Sequence, residues 1–209
     1  PAVWVRYVYN IIPKYNAVVG INVVRGGLFK DNNIAWKFKD EINYLISLKE
    51  MLEKENINCV FYTNGSFLDN VALRHIVKKY NIAKNNFKLI NTSRELVETI
   101  SNFKFVCSIR MYSAIISYSF GIPSINLIWN EKIKHFYQNI KREDDVFYID
   151  DINLETILKK IRNSKKFVPD YKYMMTLYSY LFEIFCDNYD IKMFDFKKIA
   201  EELKLCKID

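Results

Sequence analysis

Residues 105–132 read FVCSIRMYSAIISYSFGIPSINLIWNEK, and the fold class follows from how this stretch divides. Phe105 to Ser108 is a short apolar run. Beyond it, Met111, Ala114, Ile115 and Tyr118 recur at spacings of three and four, a helical period that Gly121 and Pro123 terminate. Ser124 to Ile128 is a second apolar run of β-branched and aliphatic residues. Strand, helix and strand in this order predict a right-handed crossover between buried parallel strands. The first strand delivers Ser108, Ile109 and Arg110 directly to the N-terminus of the helix, where unpaired backbone N–H groups and the helix dipole favour an anion. An arginine at that corner points to a phosphate or carboxylate ligand.

The same alternation continues on both sides. Upstream, residues 17–24 (AVVGINVV) are apolar on both faces, as expected of a central strand in a parallel sheet. They end at Arg25-Gly26-Gly27. This is no phosphate loop, because neither G-x-G-x-x-G nor G-x-x-x-x-G-K is present. Arg25 nevertheless stands at the carboxyl end of a parallel strand, where α/β proteins bind ligands. Residues 35–54 carry a helical apolar stripe, 59–63 a second strand, and Asn64-Gly65-Ser66 a turn into a helix over 67–80. A short strand at 88–91 precedes a helix that Thr92 or Ser93 caps. Downstream come a helix to about residue 140, a strand at 146–149, a helix at 154–161, a charged link over 163–170, and helices at 171–186 and 195–205.

The expected fold is therefore α/β, with a doubly wound, mainly parallel sheet. Residues 16–162 are expected to form one Rossmann-like domain. Residues 1–15 read as a connection from an upstream lobe, and 163–209 as helices packing on the domain or on that lobe.

Composition narrows the function. With 209 residues, half of them hydrophobic, the chain can bury one well-packed core. The net charge of +7 suits an anionic ligand or a membrane surface. The lysines are spread over many polar faces and form no compact basic block, so nucleic acid is not an expected partner. The four cysteines include no C-x-x-C pair and read as reduced core residues of a cytoplasmic protein. No stretch reaches the ~18 apolar residues of a membrane span. No H-E-x-x-H, paired cysteine ligands or G-x-S-x-G occurs, and Asp150-Asp151 reads as a helix cap, so no metal is expected. The lone His75, among charged neighbours on its helix, reads as a surface or packing residue. What remains is a set of cationic and polar residues at strand ends, Arg25, Asn64, Arg110, Tyr112, Ser113, Asn130 and Lys132, of the kind that recognises anions and stabilises leaving groups.

Arg110-Met111-Tyr112-Ser113-Ala114, then Gly121-Ile122-Pro123 and Trp129-Asn130-Glu131-Lys132, resemble the signature of the polysaccharide pyruvyl transferase family. In that family a strand ends in Arg-Leu-His, a small-residue helix leads to Gly-Ile-Pro, and an aromatic, a polar residue and a lysine follow the next strand. Tyr112 stands where the family has histidine. The resemblance spans roughly residues 15–162 and is densest from 93 to 140.

It implies the C-terminal lobe of a glycosyltransferase-B-type fold, with an N-terminal lobe of the same protein as partner. It also implies an enzyme using no cofactor, which moves a pyruvyl group from phosphoenolpyruvate, a small anionic donor, to a sugar of a surface polysaccharide or its lipid-linked precursor. By position, Arg110 and Tyr112 take the catalytic places. Arg25, Asn64, Met111, Ser113, Asn130 and Lys132 are the implied substrate contacts, with the backbone N–H groups of Met111 and Tyr112 facing the anion. The implied location is cytoplasmic, at the inner face of the membrane. A nucleotide-sugar-dependent glycosyltransferase lobe and a non-catalytic scaffold lobe are the alternatives. The second follows from Tyr112, because a phenol is a weaker acid than an imidazolium.

Overall fold

The structure is a computed structural model and describes residues 2–14 and 16–186. The terminal helix expected at 195–205 lies outside the described residues. Two compact units divide at residue 170.

The first unit, residues 2–169, is an α/β domain. Six strands form one sheet: β1 (Val18–Asn22), β2 (Asn58–Tyr62), β3 (Phe87–Lys88), β4 (Phe105–Ser108), β5 (Ser124–Ile128) and β6 (Val146–Tyr148). Their order is β3-β2-β1-β4-β5-β6 and every pairing is parallel, so all six carboxyl ends share one edge. The register sets Val19 opposite both Cys59 and Phe105.

The helices are α1 (Val5–Val8), α2 (Phe38–Lys54), α3 (Phe67–Lys79), α4 (Ser93–Ser101), α5 (Met111–Ser119), α6 (Glu131–Asn139) and α7 (Leu154–Arg162). Two cores cover the two faces of the sheet. Leu45, Leu48 and Leu52 of α2, Leu73 and Ile76 of α3, and Ile157 and Ile161 of α7 pack on one side with Val19 and Ile21. On the other, Leu96 and Ile100 of α4 and Ile116 of α5 pack with Tyr62 and Val106. Each such side chain contributes ~1.5–3 kcal/mol by leaving water. Cys59 and Cys107 are free thiols in this interior, where burial pushes the Cys59 thiol up to about 11.

Gly20 sits inside β1 because the Phe103 ring occupies the space above it. A Cβ there would lie 2.4 Å from ring carbons.

Several boundaries differ from the sequence expectation. β3 covers Phe87–Lys88 and not 88–91, because side chains replace the ladder beyond it. The Ile90 N–H donates to Thr63 Oγ1 at 3.4 Å, and Asn70 donates its amide to the Ile90 carbonyl at 2.9 Å. The first long helix starts at Phe38, three residues later than the apolar stripe, with the Lys37 N–H donating to Asp40 Oδ2 at 2.9 Å. Residues near the start, expected as a plain connection, include a 3-10 turn (Ala2–Trp4) and α1, with Val3 and Trp4 buried. Residues 163–169, expected with the C-terminal helices, belong to the α/β domain.

In the second unit, α8 (Tyr171–Cys186) is one helix. Among the described residues no helix is long and apolar enough to cross a membrane.

Candidate functional site

In this strand order the chain leaves β1 toward β2 and β3, then returns through α4 to β4 on the other side of β1. The connections after β1 and β4 therefore diverge and open a crevice at their carboxyl ends, the place where open α/β sheets bind ligands. Arg25 follows β1, and Arg110 follows β4.

Asn22, the last residue of β1, is fully buried and ties the crevice together. Its Oδ1 accepts from the Arg110 N–H at 3.1 Å, and its amide donates to Asn64 Oδ1 at 2.9 Å. The Ser113 hydroxyl donates to the same Asn64 oxygen at 2.7 Å. The Ile109–Arg110 turn is held from the β5 side as well, where Trp129 Nε1 donates to the Ile109 carbonyl at 2.6 Å. The Ser108 hydroxyl closes the turn by donating to the Arg110 carbonyl at 2.7 Å.

The Arg110 guanidinium is gripped by Asp69, a fully buried residue on the first turn of α3. Nε donates to Oδ2 at 3.2 Å and Nη2 to Oδ1 at 2.7 Å. Oδ1 also accepts from the Arg25 N–H at 2.8 Å, so one carboxylate organises both arginine positions. A guanidinium has five N–H donors, and this grip occupies one edge, leaving Nη1 and the outer proton of Nη2 for another acceptor. The Arg25 side chain is engaged by Asp31. Arg110 is the N-cap residue of α5 and its side chain does not cap the helix, and Ser66 likewise leaves α3 uncapped. By contrast, Thr92, Asn130 and Asn153 close the N-termini of α4, α6 and α7.

Within the electrostatic reach of the pair is Glu41 of α2, fully buried, with no hydrogen-bond partner for either carboxyl oxygen. Burial, helped by the negative field of Asp69, pushes its carboxyl up to about 8. The Val24 amide and Arg110 oppose that rise in part. The Val24 N–H acts here as a favourable neighbour, outside hydrogen-bonding geometry. The Asn64 amide nitrogen and the Asn126 side-chain oxygen are also buried without partners at this edge.

The structure thus brings Arg25, Asn64, Arg110 and Ser113 into one network, with Met111 next in the chain. Tyr112 is 61% exposed on the first turn of α5. Asn130 and Lys132 stand past the end of β5, at the same edge and outside that network. Asn130 Oδ1 is occupied in capping α6, accepting from the Lys132 N–H at 2.9 Å, and the Lys132 side chain is exposed.

Among the described residues, two grooves open on this edge. One of about 430 Å³ lies between Arg25, Phe38, Leu68, Val71 and His75. The second, of about 270 Å³, includes Asn32, Trp129, Asn130 and Tyr148. Among the described residues no group of three His, Cys, Asp or Glu side chains could hold a metal ion.

Sequence reasoning missed Asn22, Glu41 and Asp69. The signal was present: Glu41 lies on the stripe of Leu45, Leu48 and Leu52, and Asp69 on that of Ala72, Leu73 and Ile76. A carboxylate on the apolar stripe of a helix needs a buried partner or a proton. No family model matches the chain, and no curated protein matches it either.

Proposed function

We propose that this chain is the donor-binding lobe of an enzyme resembling the polysaccharide pyruvyl transferases, with phosphoenolpyruvate at the crevice between β1 and β4. The observation that carries the reading is the Arg110–Asp69 grip at the uncapped N-terminus of α5, which aims a pre-oriented guanidinium edge beside unpaired helix N–H groups. Such a corner suits a phosphate or carboxylate. The buried, unpartnered amide nitrogen of Asn64 adds a donor at the same place.

In the reaction, the donor's C–O bond to phosphate breaks and two C–O bonds to sugar oxygens form. The methylene carbon becomes a methyl by gaining a proton, and the second hydroxyl proton leaves with phosphate. Arg110 and the helix N–H groups would neutralise the departing phosphate. Tyr112, exposed on the first turn of α5, is the nearest candidate in sequence for handling the proton. Lys132 and Asn130, one strand away, would contact the acceptor, a glycan or lipid-linked glycan. The cytoplasmic side of a membrane is the corresponding location.

Calorimetric titration of the full-length protein with phosphoenolpyruvate tests the reading. Binding is expected to weaken ten- to hundredfold in Arg110→Ala, which removes a charge-assisted contact of about 1.5–3 kcal/mol. Tyr112→His is expected to raise phosphate release near neutral pH, because imidazole is the better-matched acid. Binding of a nucleotide sugar in place of phosphoenolpyruvate would instead establish the glycosyltransferase reading.

A further inference from the structure

Glu41 is a buried carboxyl group that this reading leaves unused. Three segments act on it: Asp69 from α3, Arg110 from the β4–α5 corner, and the backbone of Val24 from the loop after β1. Asp69 is already committed to Arg110 and to the Arg25 N–H. One guanidinium therefore stands against two fully buried carboxyl groups, of which only Asp69 is hydrogen-bonded. An ionised, unpartnered carboxylate in that position is costly, and the group keeps its proton instead.

We propose that Glu41 is a positioning residue that controls how much positive charge Arg110 offers to a ligand, so that anion binding at the crevice requires a protonated Glu41. The inference rests on the crevice being an anion site. With Glu41 neutral, Asp69 and Arg110 cancel, and the outer guanidinium edge and the helix N–H groups receive the anion. Ionised Glu41 makes the three-group cluster net negative in a medium of low dielectric, where its field reaches the ligand with little screening. Reciprocally, a bound anion raises the proton affinity of Glu41, so binding takes up a proton where that group titrates. The rise to about 8 places this coupling just above neutral pH.

Sulfate is the probe, because its own charge is constant across the range. Full-length protein titrated with sulfate from about pH 6 to about pH 10 should show a Kd that is flat at first and then rises by up to tenfold per pH unit, the limit for one coupled proton. The binding heat should vary with the ionisation enthalpy of the buffer near about pH 8 and not near about pH 6. Glu41→Gln keeps a neutral group and should bind sulfate with no such rise. His75→Asn removes the imidazole lining the neighbouring groove and should leave the rise intact. Should Glu41→Gln not fold, carboxyl ¹³C NMR of the unaltered protein reads the same coupling, as an upward move of the Glu41 titration midpoint when sulfate is added.

Arg110-dependent binding with a pH-independent Kd, or a Glu41→Gln variant that keeps the rise, overturns the role of Glu41 and leaves the anion site standing. Sulfate binding indifferent to Arg110→Ala, or no binding, overturns the anion site and the Glu41 role with it.

Discussion

Replacing Glu41 by glutamine should change how stability depends on pH, and the structure sets the size of the effect without reference to any ligand. The carboxyl has its ordinary value of 4.5 when unfolded, and burial pushes it up to about 8 in the fold. Below the first value both states hold the proton and the residue costs nothing electrostatically. Between the two values the unfolded chain releases its proton while the folded chain keeps it, so stability falls by about 1.4 kcal/mol for each pH unit gained. Above the folded value both states are ionised, and the loss levels off at about 5 kcal/mol. Glutamine has the same shape and no proton to lose. Its amide is buried where Glu41 has no hydrogen-bond partner, at a pH-independent cost of about 1–3 kcal/mol, so the variant should be no more stable than the unaltered protein near about pH 4.5. The advantage of Glu41→Gln should then grow with pH and flatten above about pH 8. Urea unfolding of both proteins at four or five pH values measures it, because the difference cancels every other titrating group. A difference that stays constant with pH would refute the assignment of a buried, proton-bearing carboxyl.

Two further substitutions probe the frame of the site. Asp69→Asn removes the counter-charge of Arg110 while keeping its shape, and should destabilise the protein by about 2–4 kcal/mol in urea unfolding, somewhat less than a fully enclosed pair because Arg110 is partly exposed. It should also lower the Glu41 titration midpoint, read by carboxyl ¹³C NMR, since the Asp69 field is one cause of its rise. Gly121→Ala should cost about 2–4 kcal/mol, measured in the same way. Its backbone is left-handed at φ +66°, and a Cβ would meet the Phe167 carbonyl oxygen at 2.0 Å, backbone that cannot rotate aside.

The elements were legible because each rests on short-range patterning. Continuous apolar runs marked the strands, the 3.6-residue stripe marked the helices, and Gly121 and Pro123 marked the stop between α5 and β5. The mainly parallel sheet followed from alternation, since strands separated by helices return in the same direction, and all five pairings are in fact parallel. Arg25 and Arg110 were legible as site candidates for the same reason: both follow an apolar strand and stand at its carboxyl end. The short β3 was misplaced because its pairing is replaced by bonds from Thr63 and Asn70, which are distant in sequence.

What no local pattern contained is the pairing of charges. Asp69 is 41 residues from Arg110, and its grip exists only because β2 and β4 flank β1 in the sheet, bringing the first turn of α3 to the β4–α5 corner. Asn130, a site candidate by its place after β5, proved to spend its side-chain oxygen capping α6. The proton on Glu41 is likewise a tertiary property. An isolated α2 would leave that carboxyl in water and ionised at neutral pH, and only the closure of the core over it, next to Asp69, makes the acid form the stable one. Periodicity in the chain states which residues turn inward. Which charges then meet, and which of them must surrender its charge, is settled by strand order, because desolvation and Coulomb energy depend on distances that the sheet alone creates.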